Sequence, residues 1–170
     1  MDRFGAAGRV QLRFSCRFRP ARRQRALCER DPQSLRALLA KGLGALPEAA
    51  GAVKRHLQEL PDEHGLGLTQ RLILESLTEG TLAGGKLFRA YGRVEPLTYL
   101  GDTMFWHEVE NLAFAAKPAI SLGDGDPWPT REVSLTDQGA EILSGNAHWL
   151  SCGPAPRWVG GVRVDPLGST

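Results

Sequence analysis

Apolar residues follow helical spacing from about residue 31 and strand spacing from about residue 119. The earliest clear element opens at Asp31-Pro32, a capping carboxylate followed by proline at the first helical position. It carries Leu35, Leu38 and Leu39 to a stop at Gly42. From near Pro47 a second stripe, Leu46, Ala50, Val53, Leu57 and Leu60, ends before Pro61. Together they predict a helical hairpin over residues 31–66. No aromatic residue occurs from Arg19 to Leu87, so this hairpin must pack through aliphatic side chains. Two short helices bury too little to stand alone, so it should dock on elements C-terminal to it.

Gly65-Leu66-Gly67 interrupts the pattern. Thr69 then reads as the cap of a third helix, with Leu72, Ile73 and Leu77 inward and Gly80 as its stop. Thr81 reads as the cap of a fourth, with Leu82, Leu87, Phe88 and Tyr91 inward. Gly84 and Gly85 weaken it by about 1 kcal/mol each relative to Ala, and Glu95-Pro96 ends it. Asp102 opens a fifth helix, reaching about Ala116, with Phe105, Val109, Leu112, Ala113 and Ala116 inward. Residues 119–122 and 131–135 read as two short strands joined by the tip Gly123-Asp124-Gly125-Asp126-Pro127-Trp128-Pro129. Thr136 caps a last helix, with Ala140, Ile142 and Leu143 inward and Gly145 as stop. Residues 157–164, rich in Val and Gly, are a third strand candidate.

The expected fold class is mainly α with a small β hairpin or sheet, an α+β architecture. The order of elements over residues 67–150 resembles a winged helix. It is preceded by the hairpin of residues 31–66 and followed by a tail, 151–170, that carries a strand. In such a domain the helix from Asp102 takes the place of the one that enters the major groove.

Charge bears on that possibility. Residues 1–30 hold nine Arg against Asp2 and Glu29, or +7, while the other 140 residues hold 12 basic and 17 acidic groups, or −5. An acidic body disfavours duplex binding, which neutralises phosphates with Lys and Arg. The first 30 residues admit three readings: a presequence, for which they are poor in Ser; an arm for nucleic acid or an anionic membrane; or a disordered extension, the preferred one. Three cysteines without a C-x-x-C spacing give no disulfide framework, and a reducing cytoplasm is expected. No stretch is long and apolar enough to suggest a membrane span.

Arg55-His56-Leu57-Gln58-Glu59-Leu60-Pro61, Gly67-Leu68-Thr69, Tyr99-Leu100-Gly101-Asp102-Thr103-Met104-Phe105-Trp106, Leu135-Thr136 and Arg157-Trp158-Val159-Gly160-Gly161-Val162 resemble the C-terminal part of bacterial proteins in the family called domain of unknown function 1835. The likeness spans roughly residues 31–170. That family has no established reaction to carry over, so the resemblance implies architecture and a bacterial cytosolic setting. Its members carry a preceding α/β region without counterpart in residues 1–30, which implies a piece of a longer protein.

Motifs of chemistry fail one by one. His107-Glu108-Val109-Glu110-Asn111 starts like a zinc-binding helix but has Asn111 where the second histidine belongs. His56 and His64 near Glu59, Asp62 and Glu63 are a weak metal candidate against the plainer reading of a solvated helix end. Asp124 and Asp126 lack the remaining ligands of a calcium loop. The glycine pairs lack a phosphate loop's lysine, no Gly-x-Ser-x-Gly occurs, and Cys152 has only His148 nearby. No catalytic residue, metal or cofactor is expected.

The expectation is therefore a non-enzymatic interaction module of a larger protein or complex, with Trp106, His107, Glu110 and Trp128 as candidate partner contacts. Such tryptophans either anchor a partner or are covered, Trp106 by the tail around Trp158 and Trp128 by folding over the sheet. The alternative is a DNA-binding, transcription-regulator-like protein using Lys86, Arg89, Arg93 and Asn111.

Overall fold

A computed structural model describes Ala26 and residues 28–42 and 47–168. The architecture is α+β, as expected. The expectation for residues 1–30 lies almost wholly outside the described residues, but Ala26 is buried, so the packed part of the chain includes a residue before Asp31.

Helix α1 (Gln33–Ala40) starts where Asp31 Oδ1 accepts the Gln33 N–H at 2.9 Å, and Gly42 follows it at φ +76°. Helix α2 (Pro47–Leu57) runs beside it. Its expected apolar stripe is only half-buried at Ala50, Val53 and Leu57; among its described side chains the one it buries completely is Arg55. Leu46 lies outside the described residues. The hairpin's aliphatic partners are partly at the far end of the chain. Ala26, Leu35, Leu57, Leu60, Val159 and Val162 line one small cavity between hairpin and tail.

Helix α3 (Leu68–Ser76) buries Leu72 and Ile73, with Leu77 just beyond its end. Thr69 is not its cap: Gly67 holds that position, and Thr69 lies one step inside, fully buried. Glu59 takes the capping role from outside the helix, its Oε1 accepting the Thr69 N–H at 3.0 Å and the Thr69 hydroxyl at 2.6 Å. A carboxylate suits the positive end of a helix.

Next comes a strand that the pattern concealed. β1 (Leu82–Ala83) occupies the start assigned to the fourth helix, which begins only at Gly84 as α4 (Gly84–Val94). Thr81 therefore caps nothing; its hydroxyl bonds that of Ser134 at 2.7 Å. Gly84 and Gly85 are the first turn of α4 and not its interior. A Cβ on Gly84 would lie 2.5 Å from the Trp128 carbonyl oxygen, so this glycine allows the strand hairpin's tip to sit on the helix start.

Helix α5 (Asp102–Ala113) comes after it, capped at Gly101 and three residues shorter than expected. Asp102 is its first residue and Oδ1 accepts the Thr103 N–H at 2.7 Å. Phe105, Trp106, Val109 and Leu112 are buried, whereas Ala116 is exposed. Strands β2 (Ile120–Leu122) and β3 (Glu132–Leu135) form the expected antiparallel pair. β1 joins β3 from the other side, giving the order β1-β3-β2. Helix, strand, helix, helix, then a strand pair is the order of a winged helix. The hairpin tip, which stands where that order has its wing and is called the wing below, contains a 3-10 turn, Trp128–Thr130.

Thr136 Oγ1 accepts the Gly139 N–H at 3.1 Å and so caps α6 (Asp137–Leu143) as expected. Ala140 is exposed, and Gly139 turns inward in its place, where a Cβ would lie 2.1 Å from the Ala119 carbonyl oxygen. Gly145 follows at φ +80°. The tail holds two strands where one was expected. β4 (Arg157–Val159) and β5 (Val162–Val164) pair as a separate antiparallel hairpin turning at Gly160, φ +58°. Among the described residues no helix is long and apolar enough to cross a membrane.

Candidate functional site

Helix α5 presents two unlike faces. Phe105, Val109 and Leu112 enter the core formed with α3, α4 and the sheet. On the opposite side lie Met104, His107, Asn111 and Phe114, spaced three, four and three residues apart, which on an α-helix is a single stripe. Met104 is 55% exposed and Phe114 71% exposed; His107 is exposed and Asn111 half-buried. From Asp102 to Ala116 there is no Lys or Arg, while Asp102, Glu108 and Glu110 supply three carboxylates.

The candidate contacts read from the sequence do not form one surface. Trp106 is 8% exposed, so it is no partner anchor. Its cover is Trp128, at 5.3 Å between ring centroids and 28° between planes, and not the tail, whose Trp158 is 61% exposed. Trp106 Nε1 donates to Glu110 Oε1 at 3.0 Å. Trp128 is half-buried and meets Phe88 edge-on at 6.4 Å as well as the backbone at Gly84. Trp106, Glu110 and Trp128 are thus one internal clamp that folds the wing back over the start of α4. The Gly84 N–H donates to the Arg131 carbonyl at 2.8 Å and fixes the same closure. Only His107 of the four is freely presented.

The alternative set divides likewise. Lys86, Arg89 and Arg93 are exposed along one side of α4, and none makes an ion pair among the described residues. Asn111 lies on α5, within the stripe that holds no cation.

Beneath these surfaces the hairpin is held by buried charge. Arg55 Nε and Nη2 donate to the two oxygens of Glu95, at 2.7 and 2.6 Å, in a bidentate pair. Nη1 reaches Glu59 Oε1 at 2.6 Å, Nη2 also reaches the Thr69 hydroxyl at 2.9 Å, and the guanidinium carbon lies 4.2 Å over the Tyr99 ring. Burial disfavours the Arg55 charge, but Glu95 and Glu59 outweigh it and hold the proton more firmly than in water. Burial raises the Glu95 carboxyl, and hydrogen bonds from Arg55 and Tyr91 more than reverse that. Arg157 closes the network with an Nη2 bond to the Glu59 carbonyl at 2.6 Å. Glu108 sits at its edge, accepting from Gln70 Nε2 at 3.2 Å, and burial pushes its carboxyl above the usual range despite Arg157.

Three of the five candidate metal ligands are committed elsewhere. His56 Nδ1 bonds the Tyr99 hydroxyl at 2.9 Å, Glu59 serves Arg55 and Thr69, and Asp62 pairs with Arg71. Burial pushes the Asp62 carboxyl up, but Arg71 and the N–H groups of His64 and Leu66 bring it below its usual range. Burial also raises the Cys152 thiol, the reverse of nucleophile activation.

The chain matches no protein-family model, no curated protein and no solved structure in the comparisons made with them. The geometry therefore carries the functional argument alone.

Two features of the surface and the core escape a reading of the sequence. The Met104-His107-Asn111-Phe114 spacing is visible there, but the tryptophans are the stronger anchor signal and draw attention from it. Arg55 and Glu59, four apart, signal an ion pair but give no sign that it is buried.

Proposed function

We propose that the chain is a non-enzymatic, winged-helix-like interaction module of a larger protein or complex, acting in the cytoplasm, and that its contact face is the outer side of α5. One observation carries this reading. The helix in the position of a groove reader exposes Met104 and Phe114 between carboxylates and bears no cation, a surface suited to protein and repelled by phosphate. The closed wing supports it, since Trp128 is occupied with Trp106 and Gly84. The free thiols of Cys28 and Cys152 fit a reducing compartment. The likeness to the domain of unknown function 1835 family belongs to the same proposal.

Lys86, Arg89 and Arg93, exposed on one side of α4, favour the second reading, a DNA-binding regulator. A salt series of duplex affinity separates the two, using the full chain and its Lys86→Ala/Arg89→Ala/Arg93→Ala variant. A module gives the same salt slope for both, any affinity coming from residues 1–30. A DNA binder loses about 0.9 from the slope for each α4 cation that meets a phosphate.

A further inference from the structure

Strand β2 is an open edge, since the order β1-β3-β2 pairs nothing on its far side among the described residues. In its ladder with β3 the Gly123 N–H donates to the Glu132 carbonyl at 2.9 Å, and the Thr136 N–H to the Ala119 carbonyl at 3.1 Å. Bonded and unbonded pairs alternate in an antiparallel ladder. Ser121 is therefore turned toward β3, while Ile120 and Leu122 point their N–H and C=O groups away from it. None of those four groups has a partner among the described residues. Ile120 is also fully buried, so its two groups lack water as well as protein, a state that backbone rarely tolerates. Ile120 and Leu122 line a groove of about 560 Å³ with Ala113, Phe114 and Pro118. Of these Phe114 is the side chain with room to move, at 71% exposed.

Unpaired strand edges take extended backbone, and register and charge select whose. A second copy, laid antiparallel about a two-fold axis at Ser121, sets Ile120 of each chain opposite Leu122 of the other. In that register the four outward groups of one copy are matched by the same four of the other, and no bond to β3 is disturbed. Carried past the strand ends, it sets Lys117 of each chain between Asp124 and Asp126 of the other. All three residues are exposed, and none is in an ion pair among the described residues. The charges are thus self-complementary at both ends. We infer that β2 is a dimerisation edge whose occupant is β2 of a second copy, which joins two three-stranded sheets into one. This edge is separate from the outer face of α5 except at Phe114, which lies on both.

Sedimentation velocity of the full chain at low salt, over a wide range of concentration, reads the association directly. A concentration-dependent dimer is expected, and the Leu122 amide should exchange with solvent more slowly as it forms. Leu122→Pro deletes an outward donor and no bond to β3, so it should weaken the dimer about tenfold, one hydrogen bond being lost on each side of the axis. Lys117→Glu and Asp124→Lys/Asp126→Lys alter exposed side chains only, so they report even where the proline variant does not fold. Each should weaken the dimer alone. Mixing the two should restore it, because both ends then pair opposite charges. The assignment is overturned if the chain stays monomeric throughout, if all three variants dimerise as the wild type does, or if the mixed charge variants associate no better than either one alone. It is equally overturned if the chain is monomeric and an alternating Thr-Val peptide slows exchange at Leu122, which would leave this edge to an extended segment of another protein.

Discussion

Arg55→Leu removes the cation at the centre of the hairpin's attachment. The side chain is 1% exposed and makes four hydrogen bonds, three of them to carboxylates. Hydrogen bonds to charged groups contribute about 1.5–3 kcal/mol each, but the whole sum is not lost. Glu59 keeps the two Thr69 donors, and Glu95 keeps the Tyr91 hydroxyl at 2.8 Å and the Leu97 N–H at 3.1 Å. The relevant case is a buried pair deprived of one partner, which costs about 3–5 kcal/mol. For a chain of this size that lowers the melting temperature by about 6–20 °C. Urea unfolding followed by far-UV circular dichroism measures it. The double variant Arg55→Leu/Glu95→Leu should recover about 1–3 kcal/mol, because no unpaired carboxylate is left buried. The pH dependence has a definite sign. Glu95 has a depressed pKa in the folded protein, so its stabilisation exists above the ordinary carboxylate range and disappears as pH falls through the folded value. The gap between wild type and Arg55→Leu should therefore narrow on acidification. A cost under about 1 kcal/mol, or a double variant less stable than the single one, refutes the reasoning.

Glu108 has the opposite sign. Its raised folded pKa means that the stabilisation it contributes is complete below the unfolded value and is lost as pH rises through the folded one. Glu108→Gln should remove that loss, so its melting temperature equals or exceeds that of wild type at neutral pH while the two curves meet in acid; a variant that melts lower throughout contradicts this. Trp128→Ala strips the cover from Trp106 and should cost about 2 kcal/mol, below the range for a fully buried Trp because Trp128 is half-buried. Trp106 emission should shift to the red in that variant, and an unshifted spectrum means that the wing does not cover it.

The periodic elements are legible because their signals are local. α3 and α5 bury most of the residues that their spacing selects, α6 buries Ile142 alone of its three, and Thr136 caps α6 as its sequence position indicates. β1 is not legible, since two residues carry no period and only pairing with β3 makes them a strand. Thr69 misleads because Thr is a common cap, whereas here the capping oxygen arrives from Glu59, ten residues earlier. Trp106 misleads because a helix turns it away from the inward Phe105, yet the wing that covers it reaches back from 22 residues further along the chain. Burial of Arg55 depends on Glu95 and Tyr99, 40 and 44 residues away. Local sequence cannot report contacts of that separation.

The central claim is that α5 does not enter a duplex. Hydroxyl-radical footprinting of the full chain at low salt, with and without excess duplex DNA, tests it at Met104 and Phe114, which are exposed and readily oxidised. The account predicts equal oxidation of both residues in the two samples. Protection of Met104 and Phe114 by the duplex contradicts it.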